Sequence, residues 1–130
     1  MSPQHPLVSE LDIRRVEQRS KELPVAGYRR GYRVAQVDGF LRQVVVSLRA
    51  LLAENEGLRA GVDPGNLWHQ GASVSSPRTP ADVAAQTFEL ARSGSAYRMQ
   101  EVDELLDEVI HLLTRLEAEN ELLRARSTLR

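Results

Sequence analysis

The sequence predicts an all-α protein built from two repeats, each a short helix followed by a long helix, with the long helices paired as a parallel coiled coil. Three observations predict this fold. The chain repeats itself over most of its length, and its apolar residues recur at alternating spacings of three and four. In addition, only six of the 130 residues are aromatic and none is cysteine. Leucine, valine and alanine must therefore fill the core, which favours packed helices over the bulkier interior of a typical enzyme.

The repeat defines the domain organisation. Residues 32–60 and 97–125 align without a gap at an offset of 65, with 15 of 29 positions identical. Upstream the alignment continues at an offset of 70, so the first copy has five extra residues before its motif. We predict a tail at 1–8, a first repeat at 9–60, a flexible Gly/Ser/Pro linker at 61–78 and a second repeat at 79–130. Both copies contain the motif Tyr-x-x-x-x-Val-Asp, carried by Tyr32, Val37, Asp38, Tyr97, Val102 and Asp103.

A short helix is predicted at the start of each repeat, at 10–22 and at 80–92. Thr79 suits the N-cap of the second, because Pro80 follows at the first helical position and Asp82 stands at the third. Ser9 is the corresponding cap of the first helix, and Pro24 stops it. Six apolar side chains are expected to face the long helices, namely Ile13, Val16, Leu23, Val83, Phe88 and Leu90.

Each long helix carries a heptad pattern that is typical of a two-stranded seam. The seam residues are Leu41, Val44, Leu48, Leu51 and Leu58 in the first copy, and Leu106, Val109, Leu113, Leu116 and Leu123 in the second. Six further apolar residues flank the seam, namely Phe40, Val45, Leu52, Leu105, Ile110 and Leu112. Either the short helices or a second dimer must cover these flanks.

Asn55 and Asn120 occupy the same seam position in the two copies, and we expect them to set the register. A buried asparagine pairs with an asparagine at its own level, which favours a parallel, in-register pair. The repeats could pair with each other within one chain, or each helix could pair with its own copy in a homodimer. The linker is long enough for both arrangements. We expect self-pairing of the repeats, or an oligomer built from such pairs.

Charge and residue types argue against several function classes. Residues 14–42 carry eight basic and three acidic side chains, whereas the second half of the chain is acidic. The three histidines are scattered and no glycine-rich phosphate loop exists, so we expect no catalytic residue, no cofactor and no metal. Acidic residues in the second long helix would repel phosphate, so nucleic acid is not an expected partner. No export signal or membrane span is recognisable, which predicts a cytoplasmic protein.

These residues together resemble the DivIVA domain of bacterial cell-division and polar-growth scaffolds. The family pattern opens with Thr-Pro-x-Asp-Ile, has an aromatic residue next, and continues with Gly-Tyr-x-x-x-x-Val-Asp-x-Phe-Leu before a coiled coil. The second copy supplies the opening at residues 79–83 and the aromatic Phe88. The first copy supplies the longer motif at residues 31–41. The likeness covers nearly the whole chain outside the linker.

The resemblance implies a non-enzymatic scaffold or adaptor that recruits division or cell-wall proteins. It also implies an interhelix loop that contacts anionic membrane, here Tyr28, Arg29 and Arg30, and hence a peripheral location at the septum or the poles. The aromatic residue stands one place early by family spacing, and the second copy has no aromatic in its loop. A solvated loop with Tyr28 packed inward is therefore an open alternative. The alternative function is a soluble coiled-coil regulatory or nucleic-acid-associated protein without membrane binding.

Overall fold

A computed structural model of the chain describes residues 8–26, 31–61, 79–91 and 95–128. Within these ranges the helices are α1 (Glu10–Lys21), α2 (Val34–Arg59), α3 (Pro80–Ala85) and α4 (Met99–Thr128). Three two-residue strands accompany them: β1 (Val25–Ala26), β2 (Tyr32–Arg33) and β3 (Ala96–Tyr97). The prediction of a mostly helical chain is confirmed, while the strands were not predicted. Of the predicted linker only Gly61 is described, and the predicted membrane loop at 28–30 lies outside the described residues.

Both short helices begin at the predicted caps. The Asp82 backbone N–H donates to the Thr79 hydroxyl at 3.0 Å, and the Thr79 N–H donates to the Asp82 carboxylate at 3.1 Å. Asp12 accepts the Ser9 N–H in the same way at 2.9 Å. These reciprocal bonds satisfy backbone donors that a helix start leaves without a partner. The sequence pattern therefore located both helix starts correctly.

The end of α3 differs from the prediction. The helix stops at Ala85 rather than at residue 92, and Gln86 is already extended. Phe88 then packs between two rings of the first repeat, with centroid distances of 5.3 Å to Tyr32 and 5.7 Å to Phe40. Leu90, expected in the core, is 43% exposed. A partly buried ring packed against two aromatic neighbours stabilises more than a further helical turn would, so packing between the repeats overrides local propensity.

β3 of the second repeat lies between the two strands of the first. It pairs antiparallel with β1, where Val25 faces Tyr97, and with β2, where Tyr32 faces Tyr97. An isolated bridge between Tyr32 and Leu90 adds a fourth chain segment on the far side of β2. Strands this short carry no alternating pattern that a sequence could reveal. They exist because each repeat supplies the hydrogen-bonding partner of the other.

The long helices α2 and α4 pack side by side and run in the same direction. Tyr97, two residues before α4, bonds to Asp38 near the start of α2, and Asn120 in the later part of α4 bonds to Asn55 in the later part of α2. Their facing residues form the core together with Ile13 and Val16 of α1 and Val83 of α3. Five of the six flanking apolar residues are buried, and Ile110 is partly buried. The short helices pack against this core. The sequence allowed either the short helices or a second dimer to cover the flanking apolar residues. In this chain the short helices cover them.

Candidate functional site

The repeated motif exchanges its polar groups between the repeats. The Tyr32 hydroxyl donates to the Asp103 carboxylate at 3.0 Å, and the Tyr97 hydroxyl donates to the Asp38 carboxylate at 2.7 Å. The tyrosine of each copy therefore bonds to the aspartate of the other copy. Sequence reasoning found both residues but not this exchange, because a spacing of six residues looks like a local feature. The two motif valines, Val37 and Val102, are fully buried.

The environment of these tyrosines changes their acidity. Partial burial, followed by the hydrogen bond to Asp38, raises the pKa of Tyr97 to about 12. Burial and the bond to Asp103 raise the pKa of Tyr32 in the same direction. Burial disfavours the phenolate, and a neighbouring carboxylate repels its charge. Both hydroxyls therefore stay protonated as donors throughout the physiological pH range.

Backbone contacts between the repeats follow the same reciprocal rule. The Arg33 N–H donates to the Glu89 carbonyl at 3.0 Å, and the Arg98 N–H donates to the Pro24 carbonyl at 3.2 Å. The two donors, Arg33 and Arg98, are 65 positions apart, and so are the two acceptors, Pro24 and Glu89. The offset of 65 thus holds from Pro24 onward, which places the five extra residues of the first copy upstream. Since α1 has 12 residues and α3 has six, the insertion lengthens the first short helix.

Gly31 marks the closest approach between the repeats. A Cβ added at this buried position would lie against the carbonyl oxygen of Tyr97 and 2.9 Å from the Cβ of Ala96. Only glycine leaves room for the backbone to come this near. The position equivalent to Gly31 in the second repeat is Ala96 itself, which is 1% exposed. The glycine that precedes the motif tyrosine is therefore required by the pairing of β2 with β3.

Asn55 and Asn120 meet in the interior near the far end of the helix pair. Both are fully buried. The Asn55 side-chain amide donates to the Asn120 oxygen at 2.9 Å, and the Asn120 amide donates to the Leu51 carbonyl at 3.1 Å. The Arg59 guanidinium donates to the Asn55 oxygen at 3.0 Å. Buried amides with these partners avoid the cost of an unmet hydrogen bond.

Two ion pairs flank the asparagines and are again reciprocal. Arg59 pairs with Glu119, and Arg124 pairs with Glu54. Glu54 and Glu119 are equivalent positions, as are Arg59 and Arg124. The Glu54 side chain is only 3% exposed, so this carboxylate depends on its arginine. Nine of the ten predicted seam leucines and valines are buried, while Leu123 is half-buried.

The repeats differ at the docking of the first short helix. Arg49 of α2 bonds to two carboxylates of α1, at 2.6 Å to Glu10 and 2.9 Å to Glu17. The hydrogen bonds to Arg49 lower the pKa of both glutamates, and the glutamates raise the pKa of Arg49. The equivalent residue in α4 is Thr114. This ion-pair cluster therefore belongs to the first repeat alone.

A groove of about 530 Å³ opens between α1 and α2. Its wall includes Lys21, Asp38, Arg42, Val46 and Tyr97. The groove is thus bounded on one side by the Tyr–Asp contact between the repeats. Three basic side chains, those of Lys21, Arg42 and Arg49, line it next to the exposed Val46.

The other sequence predictions concern residues or features that the structure describes only in part. The loop residues Tyr28, Arg29 and Arg30 are undescribed, but Gly31 beside them is fixed next to β3. No helix in the described ranges is long and apolar enough to cross a bilayer. The described residues also contain no cluster of three or more potential metal-ligating side chains. Comparisons with protein-family models, curated proteins and solved structures gave no match to this chain.

Proposed function

We propose that this protein is a non-enzymatic scaffold of the DivIVA type in which a single chain supplies both halves of the paired domain. The reciprocal bonds Tyr32–Asp103 and Tyr97–Asp38 carry the proposal. They join the two motifs on which the family resemblance rests, and each motif completes the other. A duplicated chain that pairs with itself then has the symmetry of a dimer without needing a second molecule.

In this proposal α2 and α4 form a parallel two-stranded coiled coil. The buried contact between Asn55 and Asn120 supports it, because an asparagine pair at one level of a seam specifies direction and register. The ion pairs Arg59–Glu119 and Arg124–Glu54 lie where coiled coils place their flanking charges. In this proposal the pair of α2 and α4 holds the loops and grooves on its two faces in fixed positions.

Membrane docking is the second part of the proposal. Tyr28, Arg29 and Arg30 stand in the sequence between β1 and β2, and β2 leads directly into α2. A tyrosine at headgroup level and two arginines on lipid phosphates suit such a position. Each arginine near an anionic surface contributes about 1 kcal/mol. The scaffold would then be bound through this loop to the inner face of the membrane, at sites of division or wall growth.

Co-sedimentation with vesicles of phosphatidylglycerol and phosphatidylcholine tests this docking. We expect the chain to sediment with anionic vesicles at low salt and to stay in solution with neutral ones. The double variant Arg29→Glu/Arg30→Glu should lose sedimentation. The control Arg115→Glu/Arg126→Glu makes the same charge change in exposed residues of α4 and should sediment as before.

An equal loss of sedimentation in both double variants would show that net charge, rather than the loop, governs binding. No sedimentation of the unmodified chain at low salt would leave the alternative of a soluble coiled-coil adaptor. A fluorescent fusion in the native host then separates the roles. Foci at septa or poles support a division scaffold, and uniform fluorescence contradicts it.

A further inference from the structure

Equivalent outer surfaces of the two repeats carry opposite charge. We define the basic face as Lys21, Arg42 and Val46, and the acidic face as Glu104, Asp107 and His111. Arg42 and Asp107 are equivalent positions at the offset of 65, as are Val46 and His111. All six side chains are exposed. A pair of identical helices would present two identical faces, whereas these two faces differ in charge.

The charges on these faces are available to a partner. Arg49, beside the basic face, is held by Glu10 and Glu17, whereas Arg42 has no ion-pair partner within the described residues. On the other side, Glu108 is held by Arg19, whereas Asp107 likewise has no such partner in the described ranges. Within the described residues, Arg42 on the basic face and Asp107 on the acidic face therefore remain without an internal ion pair, and their charges have opposite sign.

The symmetry of the molecule places the faces at the same level. Three reciprocal sets of contacts relate the repeats: the Tyr–Asp bonds, the backbone bonds of Arg33 and Arg98, and the ion pairs of Glu54 and Glu119. Because α2 and α4 run in the same direction, the approximate two-fold axis that relates them lies along the helices. Equivalent residues then have the same height on opposite sides of the helix pair.

We propose that the basic face of one molecule binds the acidic face of a second copy of this chain. A sideways shift of one copy, without rotation, brings Arg42 opposite Asp107 and Val46 opposite His111. Each molecule offers both faces, so the contact leaves a free face at each end of the assembly. Heterologous contacts of this kind generate open arrays rather than closed dimers. The inference does not depend on membrane docking or on any partner protein.

Sedimentation of the purified full chain over a range of protein concentrations tests the proposal. At about 50 mM salt, the weight-average mass should rise with concentration past that of a dimer. At about 500 mM salt it should fall toward the monomer, because salt screens exposed charges. Arg42→Asp alone and Asp107→Arg alone should each weaken association about tenfold, since like charges then face each other. The controls Arg126→Asp and Glu121→Arg make the same two charge changes on α4 outside the acidic face and should associate normally.

Mixing the two variants gives the sharpest result. An Arg42→Asp chain has two acidic faces, and an Asp107→Arg chain has two basic faces. An equimolar mixture should therefore recover the association that each lacks alone, and the double variant in one chain should recover it too. The circular dichroism of each variant, measured in the helical range, checks that the variant is folded.

Three outcomes overturn the proposal. The chain could stay monomeric at every concentration at low salt, or form a closed dimer that Arg42→Asp leaves unchanged. The mixture of variants could also fail to associate. Since the chain has no cysteine, cross-linking gives an independent check that leaves both charges in place: a Val46→Cys chain mixed with a His111→Cys chain should give a mixed disulfide-linked dimer. Cross-linking of Val46→Cys to itself in preference would contradict the proposed contact.

Discussion

At the residue scale, the junction of the repeats depends on a few atoms. Gly31 permits the approach of β2 to β3, and the two tyrosines bond across to the aspartates of the opposite copy. None of these residues is unusual for its own segment. Their importance comes from the partner that the other repeat supplies.

Two glycines give opposite predictions for the same substitution. Gly31→Ala should destabilise the protein by about 1–3 kcal/mol, because the new methyl group overlaps backbone that cannot move freely. Gly39→Ala should stabilise it by up to about 1 kcal/mol, because Gly39 lies within α2 with open space beside it. Urea unfolding followed by circular dichroism measures both. Equal effects of the two substitutions would show that the contact at Gly31 is not restrictive.

Tyr97 should control the stability of the protein at alkaline pH. Its pKa is raised to about 12 from an ordinary value of 10.0. The stability from its hydrogen bond is therefore present below pH 10 and lost as pH rises through the folded-state pKa. Tyr97→Phe should cost about 1 kcal/mol at neutral pH and flatten this alkaline decline.

Tyrosinate absorbance, measured together with unfolding at each pH, checks the prediction. Tyr28→Phe is the matched control, because it removes a phenol without removing the bond to Asp38. A Tyr97 that titrates near pH 10 in the folded chain would contradict the partly buried hydrogen bond to Asp38.

At the element scale, the two short helices are held in different ways. The 12-residue α1 is fixed by Arg49 through two carboxylates, whereas the six-residue α3 has threonine at the equivalent place on α4. The caps made both helix starts predictable, because capping involves residues three positions apart. The end of α3 was not predictable, because it is set by Phe88 packing on rings from the first repeat.

Acid should loosen α1 through its glutamates. The pKa values of Glu10 and Glu17 lie below the ordinary 4.5, since both bond to Arg49. Their contribution is present above about pH 4.5 and lost as pH falls through the lowered folded-state pKa values. The side chains are partly exposed, so each pair contributes less than about 1 kcal/mol.

Arg49→Gln should therefore reduce stability at pH 7 and make it less dependent on pH below 5. Thermal unfolding at a series of pH values measures this, and amide exchange in α1 locates the change. Thr114→Val is a control on the equivalent surface of α4. The prediction is wrong if Arg49→Gln unfolds with the same acid dependence as the original chain.

At the scale of the whole molecule, the question is which helices pair. In the structure Asn55 meets Asn120 of the same chain. A chain with Asn55→Cys and Asn120→Cys should form a disulfide at monomer mass under mild oxidation. Denaturing electrophoresis without reductant, at several protein concentrations, measures this, and each single variant serves as the control. Self-pairing is wrong if the single variants cross-link readily as 55–55 and 120–120 dimers while the double variant gives no intramolecular product.

The sequence by itself determined the helical fold class, the duplication, the buried positions of the long helices and the two helix starts. These features depend on periodicity and on caps, which act between residues near one another in the chain. Only the tertiary structure decided the three-stranded junction, the Tyr–Asp exchange, the end of α3 and the groove beside α1. Strands of two residues and bonds across 59 to 71 positions of chain form only when the other repeat is already in place. Their energy comes from the meeting of two repeats, which a pattern within either repeat does not contain.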